Sequence, residues 1–218
     1  MFRIRQLFRS VLGKVVPRRF LQISGPASSR AVALTFDDGP DPIQTPRLLD
    51  SLNRAKVVAT FFVIGELVER HPEIVARIVA EGHAIGTHSY SHPRPNVLGA
   101  DGLVEETHRT NVLLAPITGR PATMFRPPYG RVTAKELIRL WRAGQSVVLW
   151  SVDPKDFACK TADEVREKLH RRPLRPGDIV LFHDNHPYAA EVITDLAQEV
   201  RRLGLTFTTP DAWGRPRS

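Results

Sequence analysis

The stretch ALTFDDGPDP, Ala33 to Pro42, runs from apolar residues into two adjacent carboxylates, Asp37 and Asp38, and then into Gly39 and Pro40. The apolar part reads as a buried strand, and the glycine and proline end regular structure just beyond it. The two acids therefore fall at a strand's C-terminal end. Like charges side by side repel and resist full burial, so either these are solvated loop residues or a cation sits between them. The pattern on either side decides which kind of fold places acids there.

Apolar, β-branched runs recur along the chain with helical patterns between them. Strands are expected near residues 31–36, 58–64, 83–87, 123–126, 146–152, 178–183 and 205–209. Helices fit residues 45–55, 66–82, 102–118, 133–144, 161–172 and 189–204. Thr45 before Pro46, Thr133 and Thr161 are candidate N-caps, while Gly82, Gly144 and Gly204 stand where the periodic patterns stop. Alternation of this kind means parallel strands joined by crossover helices, in a doubly wound open sheet or a barrel. Seven near-regularly spaced strands, one continuous repeat and no Gly-rich phosphate turn after the first strand favour a barrel-like α/β closure. In such folds function gathers in the loops after the strand C-termini.

Composition narrows the class. With 218 residues, 42% hydrophobic and 25% charged, the chain suits one soluble globular domain. Cys159 is the single cysteine, so no internal disulfide forms, and a cytoplasmic protein is expected. The formal charge is +8, but seven positive charges and no acid fall within residues 1–30, leaving the rest nearly neutral. The body lacks the broad basic field of a phosphate-tracking protein, and no nucleic-acid partner is expected. Residues 1–20 place Ile4, Leu7, Phe8, Val11, Leu12 and Val15 at helical spacing, with Arg5, Arg9 and Lys14 largely off that stripe. This basic amphipathic segment either lies on an anionic membrane surface or docks on the domain. Lys14 interrupts its apolar run, so it reads neither as a signal peptide nor as a membrane span.

The chemically loaded residues follow strands. Asp37 and Asp38 follow the first, His88 and His92 the third, Arg126 and Tyr129 the fourth, Asp153 and Asp156 the fifth, and His183 closes the sixth. HSYSHP (88–93) sets two imidazoles four apart, on one side of a single helical turn and close enough to share a cation. Alone the spacing carries little; with a carboxylate such as Asp38 it becomes a His/His/carboxylate metal face with open positions. One aspartate would then hold a divalent cation that acidifies water, and Asp37 would take the proton. The rigid turn of MFRPPYGR (124–131) can aim a backbone N–H at a developing oxyanion, although taken by itself a stiff loop with an arginine salt bridge is the better account of it. His183 is a natural general acid if a partner fixes its tautomer. His71 and His108 fall on helical faces, His83 at a strand start, and Cys159 in a loop without a nearby histidine. Trp141 and Trp150 read as core, and His186 lies three residues beyond His183.

TFDDGP, HSYSHP, RPPYG, DPKDF and LFH stand in the order and approximate spacing of five motifs, and by them the chain resembles the polysaccharide deacetylases, carbohydrate esterase family 4, or NodB homology domain. The resemblance covers about residues 31–209, with a catalytic domain expected over 31–218 after an N-terminal segment and connection at 1–30. It implies a distorted (β/α) barrel and a hydrolase that removes acetate from an N-acetylated amino sugar with a divalent metal, usually zinc, with cobalt, nickel and manganese as alternatives. It implies Asp37 as general base, Asp38, His88 and His92 as metal ligands, and Arg126 holding the base. It further implies the backbone N–H of Tyr129 at the acetyl carbonyl, His183 as acid oriented by Asp156, and Leu181 lining the acetyl pocket. The expected partner is an N-acetylated oligosaccharide, polysaccharide or lipid-linked sugar. Phe157 departs from the motif's usual tryptophan and keeps an apolar wall with less stacking area and no indole donor. The alternatives are an inactive carbohydrate-binding module on the same scaffold, which loss of a metal ligand or of Asp37 would signal, and an adaptor acting through the basic arm.

Overall fold

The structure is a computed structural model that describes residues 16–214. Among the described residues eight strands form one sheet: β1 (Leu21–Gln22), β2 (Ala31–Asp37), β3 (Thr60–Val63), β4 (Ala84–Thr87), β5 (Met124–Phe125), β6 (Ser146–Val148), β7 (Ile179–His183) and β8 (Thr206–Thr208). The order is β1-β6-β5-β4-β3-β2-β7, with β8 also on β2, and every pairing is parallel. The regular ladder stops between β6 and β7, where the chain continuing from β6 reaches across. Ser151 and Val152 donate to the Ile179 carbonyl at 3.0 and 3.1 Å, and Leu181 donates back to Val152 at 2.9 Å. These bonds bring the chain after β6 onto β7, while the ladder itself, ending on β1 and β7, does not close.

The strands form where the side chains can be buried on both faces, as parallel sheets require. All seven residues of β2 are buried. Their period-two alternation sends Val32, Leu34 and Phe36 into the large core beneath the helices, and Ala33 into a smaller inner cluster with Phe62, Met124, Val148 and Ile179. Thr35 and Asp37 share the inner face with Ala33.

The helices are α1 (Gln44–Ala55), α2 (Gly65–Arg70), α3 (Pro72–Ala80), α4 (Gly99–Thr118), α5 (Ala134–Arg142), α6 (Ala162–His170), α7 (Tyr188–Arg202) and α8 (Pro210–Gly214). Thr133 and Thr161 cap α5 and α6 as read, each accepting from the backbone N–H three residues on. Gly82, Gly144 and Gly204 take positive φ after α3, α5 and α7.

Four local readings are corrected. The helix read over 66–82 breaks at His71 (φ −134°, ψ 52°), because Pro72 disfavours helical geometry in the residue before it and opens a new helix instead. Thr45 is not a cap: Asp41 Oδ1 accepts from the N–H groups of Ile43 and Gln44 at 2.8 and 2.7 Å, and Thr45 is buried inside α1. Strand β1, in the stretch read as a connection, and the short helix α8 were not foreseen. Residues 1–15, most of the basic amphipathic segment, lie outside the described residues. Among the described residues no helix is long and apolar enough to cross a membrane.

Candidate functional site

Parallel strands put all their C-terminal ends on one rim, and the predicted site residues stand there. Asp37 is the last residue of β2, His183 the last of β7, His88 follows β4 directly and Arg126 follows β5 directly. The two adjacent aspartates have different surroundings. Asp37 is buried on the inner face, where Arg126 Nη1 donates to its Oδ1 at 2.7 Å. Arg126 is 0% exposed and spends its fork on four acceptors: Asp37, Thr35 Oγ1 at 2.8 Å, and the carbonyls of Val148 and Leu149, both at 3.1 Å. Its guanidinium also lies 4.1 Å from the Phe62 ring centroid. One carboxylate of the pair thus has a fixed cationic partner in the protein itself, the arginine that the resemblance implies as its holder.

Asp38 leaves the strand in the left-handed region (φ 74°), a conformation aspartate tolerates better than most residues. Its Oδ1 lies 3.5 Å from His88 Nε2 and 3.4 Å from His92 Nε2. His88 Nδ1 is 2.7 Å from the Arg126 carbonyl and donates to it, so Nε2 is the ring nitrogen that faces Asp38. Ligand atoms of Asp38, His88 and His92 all lie within 4.8 Å of one another. Ligands about 2.1 Å from one tetrahedral cation stand roughly 3.5 Å apart, so this oxygen and two imidazole nitrogens suit a divalent metal in both chemistry and spacing. Burial pulls the Asp38 carboxyl up, but the His88 hydrogen bond and the charges of His88, His183 and His92 outweigh it and hold the group at about 2. Burial, with the charge of His88, pushes His92 below its ordinary value and so favours the neutral ligand form.

The two histidines do not share a helical turn, as their spacing suggested. Residues 88–92 are irregular, with Ser89 (φ 66°) and His92 (φ 50°) both left-handed, and the loop folds back to bring the rings to 4.9 Å between centroids. The His92 ring lies 4.9 Å from that of Tyr129, which is 54% exposed with φ 59° on the turn after β5.

His183 stands on the same rim. Its Nδ1 is 2.8 Å from Asp156 Oδ1, and its backbone N–H donates to Asp156 Oδ2, also at 2.8 Å. Asp156 is fully buried. Burial lowers the affinity of His183 for a proton, but the hydrogen bond and charge of Asp156, helped by Asp37 and Asp38, raise its pKa to about 9. Phe157 is 50% exposed and meets the His183 ring edge-on at 5.1 Å, while His186 is 6.5 Å away. Leu181 is buried on β7 in register with Thr35. Burial, ahead of the Asp156 charge, also raises the carboxyl of Asp153.

Asp184, next to His183, carries no signal in the sequence that marks it as a site residue. It is buried beneath the Asp-Asp-Gly turn, where its N–H donates to the Asp37 carbonyl at 3.1 Å and its Oδ2 accepts from Thr45 Oγ1 at 2.7 Å. A Cβ on Gly39 would fall 2.0 Å from Asp184 Oδ2, so only glycine lets the turn settle on this acid. Burial raises the Asp184 carboxyl to about 8, the Thr45 hydrogen bond opposing and the neighbouring acids adding to it. Of the residues set aside, His83 accepts from the Ala59 N–H, and Trp141, half-buried, donates to the Phe20 carbonyl.

The family described as polysaccharide deacetylase matches residues 24–148. The chain belongs to that family. It is 40% identical over 192 residues to a peptidoglycan-N-acetylglucosamine deacetylase of Bacillus cereus, covering 85% of this chain and 69% of the relative. It is 40% identical over 178 residues to a chitooligosaccharide deacetylase of a Bradyrhizobium species, covering 81% and 79%. A crystal structure of a peptidoglycan N-acetylglucosamine deacetylase with an N-hydroxybenzamide bound superposes with a TM-score of 0.85 at 33% identity, over 89% of this chain and 92% of that one. The α/β fold of this polysaccharide deacetylase domain is therefore that of its relatives.

Proposed function

We propose that this chain is a metal-dependent deacetylase that hydrolyses the N-acetyl group of an amino sugar in an oligo- or polysaccharide or a glycolipid, releasing acetate and a free amine. One observation carries the reading: the Asp38, His88 and His92 donors converge within 4.8 Å beside an Asp37 held by Arg126. Asp38, His88 and His92 would hold the cation, for which zinc suits the donor set best. When bound, it acidifies water and polarises the acetyl carbonyl.

Everything else falls to the chain. Asp37, held and oriented by Arg126, takes the proton from the attacking water as oxygen bonds to the acetyl carbon. The backbone N–H of Tyr129 donates to the developing oxyanion. His183, kept protonated by Asp156, gives its proton to the sugar nitrogen as the C–N bond breaks. Leu181 supplies an apolar wall for the methyl group, and the exposed faces of Tyr129 and Phe157 offer a sugar ring a surface to lie on. The intact set of Asp37 and the three donors favours this over an inactive binding module.

The test is acetate release from chitooligosaccharides, peptidoglycan fragments and lipid-linked N-acetyl sugars, with and without chelator. Release should stop on chelation and return with zinc. Asp37→Asn should abolish turnover with zinc still bound, whereas His88→Ala should lose the metal. Equal metal loss in both variants would overturn the division of labour between the two aspartates.

A further inference from the structure

The loop that carries both histidines holds two non-glycine residues, Ser89 and His92, in the left-handed region. Such conformations persist only where surrounding contacts over-determine them. Part of the constraint is backbone: His88 N–H donates to Val63, and the Ser89 and Tyr90 carbonyls accept from Gly65 and Glu66. These bonds fix the start of the loop and stop short of His92. Beyond them, one side chain from another element takes over.

Glu106, on α4, turns its Oε2 into the loop and accepts three hydrogen bonds there: from Tyr90 N–H at 2.9 Å, Ser91 N–H at 2.7 Å and Ser91 Oγ at 3.0 Å. It thus captures both peptide N–H groups midway between His88 and His92. His92 N–H is then bonded to Ser89 Oγ at 3.0 Å, which closes the turn. Tyr90 is pinned from two further sides, its hydroxyl donating to Glu69 at 2.6 Å and the Arg109 guanidinium lying 3.4 Å from its ring centroid. Glu106 is not among the clustered donors of the metal site.

We propose that Glu106 is a positioning residue for the metal centre, acting through Tyr90 and Ser91 to hold His92 in its strained, ligand-presenting conformation. Groups that hydrogen-bond a ligand directly typically account for about 10- to 100-fold in metal affinity, and Glu106, which fixes the loop backbone just before His92, is expected to act in the same range. The inference rests on the metal-dependent reading, and its readout is zinc affinity without substrate, so the two fail separately.

Zinc affinity would be measured by competition with a chromophoric chelator on the full chain and four variants. Glu106→Ala should weaken binding about 10- to 100-fold. Glu106→Asp keeps the charge and withdraws the carboxylate by one methylene, and should weaken it comparably. Glu106→Gln keeps an acceptor oxygen at the right reach and should stay within about fivefold of the parent, since charge-assisted bonds are only about twice as strong as neutral ones. Glu105→Ala, on the exposed neighbour, should change nothing. Melting of the chelated protein separates positioning from general support: Glu106→Asp should shift the zinc-loaded midpoint more than the zinc-free one. Zinc bound by Glu106→Asp within twofold of the parent, equal shifts in both midpoints, or a parent that binds no zinc would overturn the proposal. A parent that binds zinc in this Glu106-dependent way but releases no acetate would leave it standing and remove the deacetylase reading.

Discussion

Replacing Arg126 with methionine tests the charge arrangement beneath the site. The guanidinium is completely buried and bonds Asp37, Thr35 and the carbonyls of Val148 and Leu149. Methionine fills much of the same space over Phe62 and supplies no donor. Breaking a buried ion pair from one side costs about 3–5 kcal/mol, because the surviving charge is left without compensation. The orphaned carbonyls add to this at about 1–3 kcal/mol each where water cannot reach them. Against a total of about 5–15 kcal/mol for a domain, Arg126→Met should sit near the edge of folding. Adding Asp37→Asn removes the stranded charge but not the orphaned carbonyls, so the double variant should regain roughly 0.5–3 kcal/mol over Arg126→Met, a typical coupling for touching residues. Urea unfolding of zinc-free protein, with m-values compared across the set, measures each term. A single variant that loses less than about 1 kcal/mol, or a double variant no more stable than Arg126→Met, would refute the claim that this arginine neutralises Asp37.

Three further outcomes follow from the site. The pKa of His183 is raised to about 9, above its ordinary 6.5, so the stability it contributes is fully present below about pH 6.5 and lost as pH rises through about 9. Its imidazole should titrate near 9 by NMR in zinc-free protein, and Asp156→Asn, which removes the group that opposes burial, should bring that midpoint below 7. Asp184, raised from 3.8 to about 8, contributes stability that is present below about pH 3.8 and lost as pH rises through 8, so Asp184→Asn should be more stable than the parent at pH 9 and show no such advantage at pH 4 in thermal melts. Phe157→Trp enlarges the exposed aromatic face beside His183 and should lower KM for chitooligosaccharides about 2- to 10-fold, with kcat changed less than threefold, in the acetate-release assay.

The strands were legible because a parallel sheet covered on both faces needs near-continuous apolar runs, as Ala31 to Phe36 and Ile179 to Phe182 supply. Leu21–Gln22 was not, since two residues between Pro17 and Gly25 carry no periodicity and become a strand only because β6 offers an edge. The rim residues were legible for a related reason: polar groups that abruptly end apolar runs stand out. Glu106, Thr35 and Asp184 did not stand out. Glu106 looks like any solvent-facing acid on an amphipathic helix, and only the fold brings it to Tyr90 and Ser91, 16 and 15 residues away. Thr35 is a β-branched residue in a strand, where threonine needs no explanation, until Arg126 donates to it from 91 positions away. Asp184 meets Thr45 across 139 positions.

The pairing of Asp37 with Asp38 now has a physical reading that neither motif order nor composition supplies. A strand's alternation faces Asp37 inward with Thr35, toward Arg126, and the left-handed turn at Asp38 takes the next carboxylate out of that alternation toward two imidazoles. Adjacent residues thereby acquire opposite partners, one a fixed cation and the other a pair of lone-pair donors. With Arg126 against Asp37 and a protonated His183 against Asp156, those two carboxylates each have a cationic side chain as partner, whereas Asp38 faces two imidazoles. A single divalent cation there would add two positive charges, leaving the cation and Asp38 together at a net positive charge that favours a carbonyl oxygen. Were Arg126 absent, Asp37, whose Oδ2 already lies 3.8 Å from His88 Nε2, would be free to turn toward the cation as a fourth ligand and would cease to be a base. The arginine separates the two roles.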